Sequence, residues 1–349
     1  MATDEQVRRR ARVERSSAAG LDAMALRLRL LEELRSVVAF DAHVWLLTDP
    51  RTAVGAAPLA EVPSFGELQR TIRLKYLTEV NRWTRLSERA PVGLLQRDTG
   101  DDPSRSLLWR DLQRAYGVVD VASVVFVDRF GCWGFLDLWR TAPAPPFGDE
   151  DAEHLASLTD VISNGLRASQ ARTFDAPPPL RRPDLGPMVM VLDDELHVQS
   201  QTEATAEWLA VLLPAAEGAP PIPAAAFNVA AQLLAVEAGV DDNLPSARVH
   251  LSDGLWVTLR AARLGPSSIA VTIEATPPQD RLEVFGRCFG LSTREAELLG
   301  QVASGATTRE LARRMYLSEN TVQDHLKAIF DKTAVRSRPA LLSKALGTR

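Results

Sequence analysis

The 349-residue chain carries 40 Lys and Arg against 45 Asp and Glu, with 46% apolar residues. That composition excludes a chain disordered throughout, and the length implies two or three domains. No apolar run approaches the ~20 residues a membrane helix needs, and no apolar segment follows Arg8-Arg9-Arg10 as in a signal peptide. Cys132 and Cys288 give neither a disulfide framework nor a metal-binding spacing, so a cytoplasmic protein without metal or cofactor, and with no membrane partner, is expected.

Residues 1–19 are polar and Arg-rich and are expected to be flexible. Leu21, Met24, Leu28, Leu31, Leu34 and Val38 recur at threes and fours, which predicts an amphipathic helix. Ala42–Leu47 reads as a strand, followed by helical patterns over 65–86 and 104–116. Two β-rich runs, Val121–Val127 and Cys132–Trp139, flank a short break ending in Gly131 and predict an antiparallel hairpin. Phe147-Gly-Asp-Glu-Asp151 then opens a closing helix to about Arg172. A Pro-rich stretch with Pro177-Pro-Pro179 makes residues 173–187 a stiff linker.

Past the linker, Met188–Leu192 and Leu196–Gln199 form a second hairpin around Asp193-Asp-Glu195. Helices are expected near 203–213 and 225–238, then strands over 247–251, 255–262 and 268–274. Ser252-Asp-Gly254 separates the first two of these strands, and Thr276-Pro-Pro-Gln-Asp280 leads into the tail.

The order of elements in residues 20–172 resembles a GAF-type sensor domain, most closely over Val118–Gln170. The resemblance implies an antiparallel sheet flanked by helices, with a ligand pocket on one face. The Asn-Lys-Phe signature of cyclic-nucleotide-binding members is absent, which lowers that ligand class. Residues 188–276 are similar in element order to a PAS-type domain, which implies a second sensor or dimerisation module. Trp45, Trp83, Trp109, Trp133 and Trp139 all fall in the first of these regions. They read either as the lining of a pocket for an apolar ligand or as ordinary core. Cys132, in a strand with no cationic cluster beside it, reads as a small buried hydrophobe rather than a reactive thiol.

The tail carries the most specific signals. Ser292 with Glu295, and Thr307 with Glu310, are capping boxes that open two helices, and Gly305 fits the position just past the first. Ser318 is placed to cap a third helix, in which Val322, Leu326, Ile329 and Phe330 share one side while Gln323, Asp324 and Lys327 occupy the other. Ser337 and Pro339 start a fourth, carrying Leu341, Leu342, Ala345 and Leu346. Two helices joined by a tight turn, the second amphipathic, make a helix-turn-helix.

Residues 291–342 resemble the LuxR-type DNA-binding domain of bacterial transcription factors. The resemblance rests on Leu291-Ser-Thr-Arg-Glu295, Gly305, Glu310-Leu-Ala312, Ser318–Val322 and Val335-Arg-Ser-Arg338. It implies base-edge contacts at Gln323, Asp324 and Lys327, and backbone or register contacts at Thr308, Ser318, Thr321, Lys332, Arg336 and Arg338. The chemistry suits those roles: Lys donates to guanine, Gln grips adenine, and a carboxylate accepts from cytosine. Gln323 and Asp324 depart from the family, where Lys or Arg is common at the first position, so phosphate attraction is weaker there. Asp324 reads also as an acid favoured near a helix N-terminus, Arg336 and Arg338 as a solvated turn, and His325 as a packed side chain.

Charge is partitioned accordingly. From Arg287 to Arg349, eleven basic residues face six acidic ones, a net +5, and the remainder of the chain carries −10. A basic tail on an acidic body suits a polyanion reached only by the tail.

The expected fold class is α+β multidomain: GAF-like and PAS-like antiparallel sheets with flanking helices, then an all-α four-helix domain over residues 277–349. The expected function is transcriptional regulation by a protein that is not an enzyme. No phosphate-binding glycine loop, Gly-x-Ser-x-Gly elbow or His-x-x-x-His is present, and no catalytic residue is nominated. Double-stranded promoter DNA, a second copy of the chain, a small-molecule effector and RNA polymerase are the candidate partners. The alternative assigns the GAF-like and PAS-like regions a scaffold role without a ligand.

Overall fold

The computed structural model describes residues 4–175, 186, 188–205, 224–251 and 255–347. Helices α1 (Asp4–Ala18) and α2 (Ala23–Arg35) come first. The N-terminal segment expected to be flexible is therefore helical from residue 4. Val13 and Ser16 on it are buried, and Arg10 and Arg12 pair with Asp160 and Glu33 at 2.7 and 2.8 Å. The charged composition hid a helix whose buried face is only a few residues wide.

Strands β1 (Ala42–Thr48), β2 (Gly55–Glu61), β3 (Val92–Leu94), β4 (Val118–Asp128) and β5 (Gly131–Thr141) form one sheet in the order β2-β1-β5-β4-β3. Each neighbouring pair in it is antiparallel. β4 and β5 are buried along nearly their whole length, as central strands covered on both faces must be. Gly131 sits at φ +151°, where an added Cβ would collide with the Pro50 carbonyl oxygen, so the break between these strands needs glycine. Burial pushes the Cys132 thiol up to about 11, which suits an inert side chain.

Between β2 and β3 lies α3 (Leu68–Leu77), and α4 (Leu95–Thr99) and α5 (Leu107–Asp111) separate β3 from β4. The pattern over 65–86 thus gives a shorter helix than its periodicity predicts, with Thr78 already extended and Asn81 left-handed. Helices α6 (Asp149–Ala156) and α7 (Thr159–Arg172) replace the single closing helix.

A second sheet contains β6 (Met188–Leu192), β7 (Val198–Gln201), β8 (Ser246–His250), β9 (Trp256–Arg263) and β10 (Ile269–Ala275) in the order β7-β6-β10-β9-β8. Counted within its own sheet, this is the same strand order as the first. Helix α8 (Ala224–Glu237) precedes β8 and is buried almost all round. Of the helix expected over 203–213 only residues 203–205 are described, and these are helical, while the turn at 252–254 and most of the Pro-rich linker lie outside the described residues.

The chain divides into two compact units, one of which contains most of both sheets. Among the described residues, two buried ion pairs join the two sheet regions within it. Arg82, fully buried, reaches Asp241 at 2.7 Å and Gln232 at 2.9 Å. Arg248 grips Asp49 through two contacts of 2.7 Å. Four tryptophans of the first region are buried: Trp45 stacks on Phe126, Trp83 on Phe135, and Trp133 and Trp139 are equally inaccessible. Trp109 is half-buried.

The other unit takes in, among the described residues, 167–175, 250–251 and 255–257 with the helices from residue 275 onward. Five helices follow: α9 (Pro278–Cys288), α10 (Thr293–Ala303), α11 (Thr308–Met315), α12 (Glu319–Thr333) and α13 (Arg338–Leu346). The last four are those expected, and α9 is an addition packed around an aromatic cluster. Phe174 lies 5.2 Å from both Trp256 and Phe285, with Arg281 stacked over its ring at 4.8 Å. Among the described residues no helix is long and apolar enough to cross a membrane, and no cluster of three His, Cys, Asp or Glu could hold a metal.

Candidate nucleic-acid interface

Local capping decides where each helix of the tail begins. Ser292 accepts from the Glu295 backbone N–H at 3.3 Å, while the Glu295 carboxylate accepts from the Ser292 N–H at 2.6 Å. Thr307 and Glu310 repeat the arrangement at α11, with the Thr307 N–H and hydroxyl each 2.8 Å from the carboxylate. Both capping boxes satisfy backbone donors that a helix start would leave unpaired. Gly305 follows α10 with φ +82°, a left-handed residue just past the C-cap, as its position in the sequence implies.

The turn between α11 and α12 is made by Tyr316, Leu317 and Ser318. Tyr316 caps α11 at φ 56° and ψ 45°, with 95% of its surface exposed. Leu317 N–H returns to the Ala312 carbonyl at 2.9 Å. Ser318 caps α12 by accepting from the Thr321 N–H at 3.1 Å, and the two hydroxyls lie 2.8 Å apart.

Helix α12 then sorts its residues by face. Val322, Leu326, Ile329 and Thr333 are buried, whereas Gln323, Asp324 and Lys327 are exposed. A 3.6-residue period places the exposed set on one stripe. Asn320, also exposed, extends the stripe by one turn toward the N-terminus. The sequence reading passed over it, although its spacing of three and four from Gln323 and Asp324 carries the signal.

The remaining nominated residues fall into three groups. Thr308 is where side chains meet: Arg338 donates to its hydroxyl at 2.8 Å, and the Gln323 amide approaches to 3.5 Å. Arg336 is exposed in the loop between α12 and α13, and Ser318 and Thr321 line the start of α12. Lys332 is engaged internally, 2.6 Å from the Glu295 carboxylate and 3.2 Å from the Gly290 carbonyl. Burial alone would raise the Glu295 carboxyl. The Lys332 hydrogen bond and the Ser292 donors outweigh it and hold the group below the usual carboxylate range. This pair, buried on its Glu295 side, fastens the C-terminal half of α12 to the start of α10, fixing the direction in which the exposed stripe points. His325 is half-buried on the same helix.

A rigid helix presenting amide, carboxylate and ammonium groups on one stripe can pair with base edges in a major groove. The surrounding exposed Arg309, Arg313 and Arg336 supply the charge that phosphates require.

Residues 290–345 match the family described as bacterial regulatory proteins, luxR family. The chain is 44% identical over 55 residues to the probable csgAB operon transcriptional regulatory protein of Salmonella typhimurium, covering 16% of this chain and 26% of that protein. It is 44% identical over 59 residues to the probable HTH-type transcriptional regulator GfsR of Streptomyces halstedii, covering 17% and 24% respectively. The chain thus spans about a quarter of the length of these curated relatives. A crystal structure of Escherichia coli SdiA aligns over 99% of this chain and 98% of its own with a TM-score of 0.38 and 14% identity, a likeness too slight to carry an argument.

Proposed function

We propose that the protein is a sequence-specific, double-stranded-DNA-binding transcriptional regulator that reads its site with α12. The observation that carries this reading is the exposed stripe of Asn320, Gln323, Asp324 and Lys327 on a helix whose opposite face is locked into the core. The luxR-family match over residues 290–345 supports the same conclusion. Phosphate contacts fall to Thr308, Ser318, Thr321, Arg336 and Arg338, which surround the start of α12.

The chain acts as a homodimer in this proposal, placing two copies of α12 on half-sites about one helical turn, ~34 Å, apart. The unit built on the two sheets serves as a non-catalytic, GAF-like and PAS-like sensor for a small molecule. The repeated strand order of the two sheets supports reading them as related modules.

Binding of the full chain to promoter fragments, followed across a salt titration, tests the reading. Affinity is expected to fall linearly with salt on logarithmic axes, because each neutralised phosphate releases counterions. Footprints are expected as inverted repeats about one turn apart. Absence of binding at low salt, or binding indifferent to salt, would contradict the proposal.

A further inference from the structure

A cavity of about 40 Å³ lies against one face of the first sheet, between β1, β5 and α3. Strand register sets its walls: Val44 pairs with Asp137 and Leu46 with Phe135, so these four side chains share that face, and Lys75 of α3 closes over them. The rest of the lining is largely apolar. Its charges are already neutralised, since Lys75 Nζ lies 2.7 Å from Asp137 and the Ser123 hydroxyl donates to the same carboxylate at 2.8 Å.

Two further residues lining this cavity carry polar atoms that the fold does not use. Asn228 of α8, 1% exposed, donates from its amide nitrogen to the Ala224 carbonyl at 2.7 Å, while its Oδ1 has no hydrogen-bond partner. Trp139, also 1% exposed, has an indole Nε1–H without a partner. Native interiors pair almost all such atoms. Both residues line the same cavity, and one unused acceptor with one unused donor is the complement of a guest that offers both.

We infer that this cavity is a binding site for a small uncharged amphiphile of the primary amide or alcohol class, held through Asn228 Oδ1 and Trp139 Nε1. The inference rests on the sensor reading given above and assigns that reading its site. A charged guest is disfavoured because Lys75 and Asp137 already satisfy one another, and a new charge would be buried without a counter-ion. The volume is that of about three ordered waters, which limits the guest to a few heavy atoms.

Propionamide and its anionic isostere propionate test the assignment on the full chain. The Trp139 indole N–H resonance is identified by its disappearance in Trp139→Phe. Propionamide is expected to shift that resonance saturably, and propionate is expected to leave it in place. Asn228→Leu, which removes an unsatisfied acceptor without adding polarity, should weaken the amide's binding at least tenfold at unchanged thermal stability. Asn228→Ala serves the same purpose if the larger side chain disturbs folding. A resonance that does not move, as when water alone fills the cavity, would overturn the assignment. So would all indole resonances moving alike, or full amide binding by both Asn228 variants. DNA affinity measured with and without propionamide separates the two ideas: bound amide with unchanged DNA affinity upholds the site and contradicts the sensor reading.

Discussion

Tyr316 occupies a left-handed conformation at φ 56°, which costs a non-glycine residue about 1–2 kcal/mol, and it leaves 95% of its surface exposed. No packing offsets that strain. Tyr316→Gly is therefore expected to be at least as stable as the parent, and Tyr316→Val, with a β-branched side chain at positive φ, less stable by roughly 1 kcal/mol in urea denaturation. Equal stability of the valine variant would show that the turn relaxes. Glu295 and Lys332 form a second residue-scale determinant. A carboxylate held below its ordinary range stabilises the fold above the unfolded pKa, and that contribution disappears as pH falls through the folded value. Lys332→Met removes the strongest partner and leaves the buried carboxylate to Ser292 alone. It should cost about 1–3 kcal/mol at neutral pH and move the acid loss attributable to Glu295 to higher pH. An unchanged pH profile would place Lys332 outside that role.

Among elements, α10 to α13 were legible because their signals are local. A Ser or Thr three residues before Glu, a glycine past the last turn and a 3.6-residue apolar stripe each act within a few residues of one another. The β4–β5 hairpin was equally visible. β2 was not, because Pro58 and Gly55 argue against a strand, and only its place at the sheet edge makes the proline tolerable. β3, three residues long, offers too little periodicity to read. The exposed stripe of α12 was legible for the same local reason. The engagement of Lys332 with Glu295, 37 residues away in sequence, was not, since it depends on how α10 and α12 pack. The cavity was hidden more deeply: Asn228, Lys75 and Trp139 come from three elements separated by scores of residues. At this scale the capping boxes give a direct expectation. Thr307→Ala should lower stability by about 1 kcal/mol and fray the start of α11, measured by amide exchange at residues 308–311. Unaltered exchange there would mean that packing alone sets the helix start.

At the scale of the whole molecule, the chain concentrates charge for two purposes. The two-sheet unit buries Asp49 against Arg248 and Asp241 against Arg82. Burial opposes ionisation of both acids, but the arginines and backbone donors win, and Asp241 is held down to about 2. Both groups stabilise the fold above the ordinary aspartate range and lose that contribution as pH falls, so melting temperature should decline steeply between about pH 4 and pH 2. Breaking one pair shows whether the ions set stability or register. Arg248→Met strands a buried carboxylate and should cost about 3–5 kcal/mol, whereas adding Asp49→Leu should recover most of the loss. The tail, by contrast, carries a net +5 from Arg287 onward against −10 elsewhere. On the proposed reading, that asymmetry directs a polyanion to the helices and leaves base discrimination to the stripe on α12. Selection of bound sequences from a random duplex pool, carried out with the full chain and with Lys327→Ala, tests this most directly. The account predicts a defined motif for the parent, and for the variant a loss of preference at one base pair with ~1–3 kcal/mol weaker binding to the parent's site. An identical motif selected by both proteins would contradict the claim that α12 reads the bases.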